Sequence, residues 1–364
     1  MIERRRFLTA AGAALLAGCA PALALGGEGG RNEAEASPAP VRDSRADRLV
    51  EAFSRTTGVR DCSVLVMRGE TRLYQRHMGR YGPGTVINIA SASKWFAGAT
   101  AMALVAAGRL RLDAAISAYV PGLPPDYARL RLDQLLSFTA GLPSLKAAVD
   151  IRQPRFISLT RSAQLAAREP LASEPGTQFD YGGPNLQFIG AAVEEVTGMR
   201  WQAAFDAQIA NPLGMRDTLW SRLFWPPRRS ALPANPLLQG GAWTSMADYA
   251  AFLTMIAQDG RYHGRLVLPP SAVRQMGTVM TKGLRKGYVP PGAAGRPIEY
   301  AIAHWCERMT NGRCSFELSP GAFGTYPWVD RTAGLHGLIF LKDRLPRIAN
   351  AELALRDGLI RLYG

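Results

Sequence analysis

The sequence predicts an α/β fold of the α+β kind, an antiparallel sheet flanked by helices with a mostly helical insertion. Three observations predict it. Strand patterns cluster in residues 62–90 and 300–341, at the two ends of the chain. A long, almost wholly apolar helix follows the first cluster. The stretch 112–234 is rich in Pro, Arg and helical patterning, with few strand signals. With 364 residues, 47% of them hydrophobic, the chain can bury a sizeable core,. The predicted organisation is one sheet domain made from 47–111 and 235–364, with 112–234 as the insertion.

Residues 1–25 read as a processing segment. Arg4-Arg5-Arg6-Phe7-Leu8 and the apolar run Thr9 to Ala17 form a basic head and a short greasy stretch, the pattern of a signal peptide,. Adjacent arginines before Phe-Leu also fit a twin-arginine signal. Leu16-Ala17-Gly18-Cys19 resembles a lipobox with Cys19 as the lipidated residue; cleavage near Ala22 to Ala24 is the alternative. Residues 26–46, rich in Gly, Glu, Ala, Pro and Arg, read as a flexible tether,.

The elements then follow in order. Cys62 to Met67 and Thr71 to Gln75 read as two strands joined by Arg68-Gly69-Glu70,. Thr85 to Ala90 is extended. Ala92 to Ala107 is a helix ended by Gly108, and apolar nearly all round, so it belongs in the middle of the fold,. In the insertion, Leu186 to Thr197 is an amphipathic helix closed by Gly198. Gly240-Gly241 returns the chain toward the sheet, and a helix runs from Met246 to Gln258. Tyr300 to Glu307, Phe323 to Val329 and Gly334 to Leu341 are strands, and Ala349 to Leu362 is a closing helix.

The net charge is +14. No dense Lys/Arg block interleaves with aromatics, so the charge reads as an Arg-rich solvated surface, with attraction to anionic envelope polymers or lipids as the functional alternative. Nucleic acid is not expected for an exported chain. No C-x-x-C or H-E-x-x-H pattern occurs, so neither a metal site nor a cofactor is expected,. Cys306 and Cys314 are the natural disulfide pair, because little sequence separates them,. A tight turn at Asn311-Gly312 would set Cys314 against Met309, so the bridge calls for a wider loop there. His77, His263, His304 and His336 show no paired spacing with an acid or another ligand and read as structural, His304 being the nearest in sequence to the third motif.

The chemistry concentrates in Ile89-Ala90-Ser91-Ala92-Ser93-Lys94, where an extended run turns into the buried helix. A serine at a helix N-terminus meets the positive end of the dipole, which favours a developing alkoxide. Lys94, three residues on, shares its face and reaches its hydroxyl. A lysine on an apolar helix should lose basicity, which suits a proton acceptor. This motif resembles the first motif of class C β-lactamases, D-alanyl-D-alanine peptidases and β-lactamase-like esterases. Other segments resemble that family in order: Leu135 to Pro143, with Phe138 at the usual His; Phe179-Asp180-Tyr181-Gly182-Gly183; Pro212 to Thr218; and Gly240 to Phe252. The resemblance covers residues 47–364 and implies a β-lactamase/transpeptidase-like fold.

By the same resemblance Tyr181 works with Lys94 in proton transfer, either as a phenolate or as a neutral relay. Ser319-Pro320-Gly321-Ala322 stands at the third motif. There Gly321 lets the strand approach closely, and the Ala322 N–H joins that of Ser91 as an oxyanion hole. Two departures matter. Gly183 replaces the usual Asn that holds the lysine and a substrate amide, with Asn185 as a candidate substitute. Ser319 replaces a Lys or His. The resemblance implies a serine hydrolase forming an acyl-enzyme at Ser91 on an ester, a β-lactam or a D-amino-acid amide; the N-terminal pattern adds the expectation of export to the periplasm or envelope, and a monomer is expected. The expected partner is a small-molecule or peptidoglycan-derived substrate, and the lipobox reading adds membrane association through a lipid anchor at Cys19. No G-x-S-x-G elbow occurs, which argues against an α/β-hydrolase. The competing reading is a non-catalytic envelope binding protein or penicillin sensor that kept the fold.

Overall fold

The computed structural model describes residues 41–222 and 226–364. The expected signal segment 1–25, including Cys19, lies outside them, as does most of the expected tether. The end of that tether is helical instead. The Asp43 carboxylate accepts from the Arg45 N–H and opens helix α1, Ser44–Thr57,. Ala46, Val50, Phe53 and Thr57 form its buried stripe.

Strands β1, Cys62–Arg68, and β2, Thr71–Met78, pair antiparallel. Strand β3, Val86–Asn88, leads through one 3₁₀ turn, Ala90–Ala92, into helix α2, Ser93–Ala106. Every residue of α2 from Ser93 to Met102 is buried, which places the helix in the centre as its apolar circumference requires,. Gly98 lets it pack closely, since a Cβ there would lie 2.6 Å from the Ala303 Cβ.

Within residues 112–234, helix α3 is Leu159–Ala166 and helix α4 is Asn185–Thr197, closed by Gly198 in the left-handed conformation. Strand there is limited to short pieces, among them β4, Leu219–Trp220. Strand β5, Ala242–Ser245, lies between β3 and β4 in a three-stranded sheet. The Ser245 hydroxyl then caps helix α5, Met246–Ala257.

The rest of the chain supplies β6, Glu299–Tyr300; β7, Trp305–Thr310; β8, Arg313–Leu318; β9, Tyr326–Asp330; and β10, Leu335–Phe340. The main sheet is antiparallel, in the order β6-β7-β8-β9-β10-β1-β2, so both ends of the chain build it. Helix α6, Leu345–Tyr363, packs against α1.

Four expectations are corrected. The strand expected over Tyr300–Glu307 is broken after Tyr300, where Ala303 takes a positive φ of 60°. β8 was not foreseen. The strand expected from Phe323 begins only at Tyr326, and Ser319–Thr325 is the loop of a hairpin. The wider loop is also absent. Asn311 and Gly312 take positive φ in a tight turn, and Cys314 does face Met309. The pairing is irregular between Cys306, Arg308 and Met309, where Cys306 lies opposite Glu317 in register, and Cys306 and Cys314 are nevertheless bonded with Cα atoms 5.5 Å apart,.

Candidate active site

The turn that carries the nucleophile is held from three sides. Ala90 has a φ of 46°, a conformation that alanine adopts only under constraint,. Asn88 supplies one constraint: its side-chain oxygen accepts from the Ala90 N–H at 3.0 Å, while its amide donates to the Gly240 and Ala242 carbonyls. The Ser93 hydroxyl donates to the Ala90 carbonyl at 2.6 Å and accepts from the Ala242 N–H. Tyr249 donates to the Ala92 carbonyl at 2.9 Å. Ser91, partly exposed, sits on this fixed turn.

Lys94 is buried, and its amine donates to the Ser91 Oγ at 3.0 Å and to the Gln239 carbonyl at 2.6 Å. Burial pulls its pKa down to about 7, against an opposing pull from the Asp150 carboxylate,. With that pKa a substantial fraction of the amine is uncharged near neutral pH and can accept a proton. The amine also stands 4.8 Å above the centre of the Tyr181 ring,.

Tyr181 is delivered by a loop fixed at its backbone. Its N–H donates to the Tyr288 carbonyl at 2.9 Å, and its carbonyl accepts from the Leu145 N–H at 3.1 Å. Trp305, the first residue of β7, stacks on it at 5.0 Å, and Phe138 packs edge-on at 5.4 Å. Burial pushes the phenol up to about 12, with a hydrogen bond to Ser91 pulling the other way. Of the two states open to Tyr181, the neutral phenol therefore holds near neutral pH.

The third segment docks on the nucleophile turn. A Cβ at Gly321 would sit 2.2 Å from the Ile89 carbonyl oxygen, so only glycine permits this approach,. Ser319 donates toward the Ser91 carbonyl at 3.4 Å. Ala322 is exposed beside it.

Gly183 has a φ of 71°, and a Cβ there would lie 2.0 Å from the Pro143 carbonyl oxygen. No side chain of any kind fits. Asn185 does not replace the missing amide at Lys94, because its amide donates to the Gly182 carbonyl at 2.8 Å. His304 is buried behind α2, stacked on Trp95 at 4.9 Å with its Nε2 3.5 Å from Glu317. It is structural. Sequence reasoning missed Asp150, Gln239 and Trp305. Only Gln239 had a signal, its position beside Gly240-Gly241.

A serine, a buried lysine and a tyrosine brought together on this fold define the class of β-lactamase-fold serine hydrolases. The chain belongs to the beta-lactamase family, whose model, described as Beta-lactamase, matches residues 46–356. A putative beta-lactamase from Bacteroides dorei DSM 17855 has the same fold, with a TM-score of 0.75 at 23% identity over 87% of this chain and 98% of that one. EstCE1, described as a hydrolase with promiscuous acyltransferase activity, also shares the fold, with a TM-score of 0.70 at 17% identity over 88% and 98%. Among curated proteins, the D-alanyl-D-alanine-carboxypeptidase/endopeptidase AmpH of Escherichia coli K12 is 25% identical over 226 residues, 56% of this chain and 58% of its own. Esterase EstB of Burkholderia gladioli is 30% identical over 201 residues, 48% and 50%. The chain thus spans about half the length of the curated relatives it matches.

Proposed function

We propose that the chain is an exported hydrolase of esters, acting through an acyl-enzyme at Ser91. The observation that carries this is the buried Lys94 amine, 3.0 Å from the Ser91 oxygen, its pKa drawn down to about 7 by burial. Ser91 attacks the substrate carbonyl as its proton passes to Lys94, with the neutral Tyr181 phenol as relay. The oxyanion is received by the N–H groups of Ser91 and Ala322. The alcohol leaves with a proton returned through the same pair, and water, activated likewise, releases the acid.

Esters are favoured over lactams and peptides by the two departures. Gly183 leaves no amide to hold a substrate amide, and Ser319 no cation to hold a carboxylate. The likeness to an esterase supports the same reading. Export rests on the N-terminal basic and apolar pattern and on the Cys306–Cys314 bond, which persists in oxidising compartments,. Cys19 is the proposed lipid attachment, and metabolic labelling with a fatty acid reads it directly.

The test compares the mature chain with Ser91→Ala on a short-chain nitrophenyl ester, a chromogenic cephalosporin and a D-Ala-D-Ala peptide. Ester turnover should exceed the other two and fall at least about 10³-fold in the variant. Its kcat/KM should rise with pH up to about 7, as Lys94 loses its proton, and then level,. Turnover that survives Ser91→Ala removes Ser91 from the mechanism. A covalent adduct without turnover marks a sensor, and neither adduct nor turnover marks a binding protein.

A further inference from the structure

The segment 144–157 is bound to the site at several points. Beyond the Leu145 bond to the Tyr181 carbonyl, the Arg222 guanidinium donates to the carbonyls of Asp150 and Ile151, and the Asn235 amide donates to the Pro154 carbonyl at 3.0 Å. This turns one acidic side chain inward. Asp150 is fully buried, and its Oδ2 accepts from the Gln239 Nε2 at 2.6 Å. Its Oδ1 is buried with no hydrogen-bond partner. The backbone carbonyl of the same Gln239 accepts from the Lys94 amine at 2.6 Å. One residue therefore links a buried carboxylate to the proposed base.

We infer that Asp150, acting through Gln239, is a positioning residue for Lys94, fixing its amine and supplying the counter-charge once that amine takes the Ser91 proton. The inference rests on the reading of Lys94 as proton acceptor. An ammonium formed in a dry pocket is unstable unless paired. The amide that relatives place at position 183 is sterically barred here, so the pairing must come from elsewhere. Among the described residues, the charged and titratable groups that face Lys94 and this carboxylate are Asp150 itself, the Tyr181 phenol, the Ser91 hydroxyl and Arg222. The phenol offers the cation a ring face but no charge. Arg222, clamped to the carbonyls of the Asp150 loop, favours the ionised carboxylate. Burial raises the Asp150 pKa and lowers that of Lys94, while each charge favours the other,.

The test follows kcat/KM of a short-chain nitrophenyl ester against pH. Asp150→Asn keeps an acceptor for the Gln239 amide but removes the charge. The acid limb should then move about one pH unit lower, since a paired charge is worth about 1–3 units. The maximal rate should fall about tenfold because the base is weaker. Asp150→Glu should bring the limb back toward its original pH. A profile of Asp150→Asn that superimposes on the parent overturns the inference, whatever happens to its melting temperature. Infrared difference spectra of the unsubstituted enzyme give a second measurement if the variants do not fold. With ¹³C-labelled aspartate, acylation of Ser91 should perturb one buried carboxyl band, and an unchanged band also overturns the inference. Retained turnover in Ser91→Ala would instead strike at the proposed function, so the two failures are distinguishable.

Discussion

Gly183 decides more about this site than its lack of a side chain implies. A positive φ and the Pro143 carbonyl exclude a Cβ together, so the loop has been reshaped around glycine. Restoring the residue that relatives carry should therefore fail. Gly183→Asn is expected to lower stability by about 2 kcal/mol or more, from the left-handed backbone and the forced movement of Pro143. Ester turnover should fall, and no cephalosporin turnover should appear. A variant that melts with the parent and opens a cephalosporin would show that the loop tolerates the amide after all. At this scale the sequence was readable where chemistry has local spacing. Ser91 and Lys94 stand one helical turn apart, and Tyr181 lies in a recognisable loop. Asp150 and Gln239 are 89 positions apart and meet only because the insertion folds over the helix. No periodicity encodes that.

The hairpin of β7 and β8 shows what was and was not visible among the elements. The sequence marks its turn, Asn311-Gly312, and its two cysteines. It hides β8, because Arg313 and Glu317 interrupt the run, although Glu317 is buried against Arg331 and His304. It also hides α1, whose apolar face is a single narrow stripe on a polar segment. The irregular pairing between Cys306 and Met309 cannot be read from spacing either, and from the turn alone the disulfide looks incompatible with it, yet the structure holds both. The bond closes a short loop, with its cysteines eight positions apart. In the chain-entropy account such a loop contributes about 2–3 kcal/mol. Cys306→Ser with Cys314→Ser should lower the melting temperature accordingly, and reductant should lower that of the parent but leave the variant unmoved. Equal melting of both proteins in reductant and oxidant would mean that the bond does not form in solution.

On the scale of the molecule, most of the described arginines are exposed, as the reading of a solvated surface expects, but a few are drawn inward. Arg356 is buried and donates to Glu307 and to the Tyr326 hydroxyl, and Arg331 reaches the buried Glu317. These pairs tie α6 to β7 and β9, and the residue following β9 to β8. One contribution to the pH dependence of stability lies elsewhere in the main sheet, at His336 on β10. Its Nε2 lies 2.9 Å from the Thr254 hydroxyl of α5, and its Nδ1 is buried with no partner. Burial lowers its pKa from 6.5 to about 4. Between those values the unfolded chain binds a proton that the folded chain refuses. The contribution is therefore full above about pH 6.5 and lost as the pH falls toward about 4, a change of about 3 kcal/mol,. His77, also lowered by burial, acts in the same direction, while the raised carboxyls of Glu352 and Asp248 act in the opposite one. The parent curve alone is therefore a composite, and a variant is needed to isolate His336. His336→Gln keeps a partner for Thr254 and cannot charge. Its melting temperature should change less than the parent's between pH 6.5 and 4, the two curves converging on the acid side. Parallel curves would show that His336 keeps its proton affinity on folding, and would place the acid sensitivity of the sheet in another group.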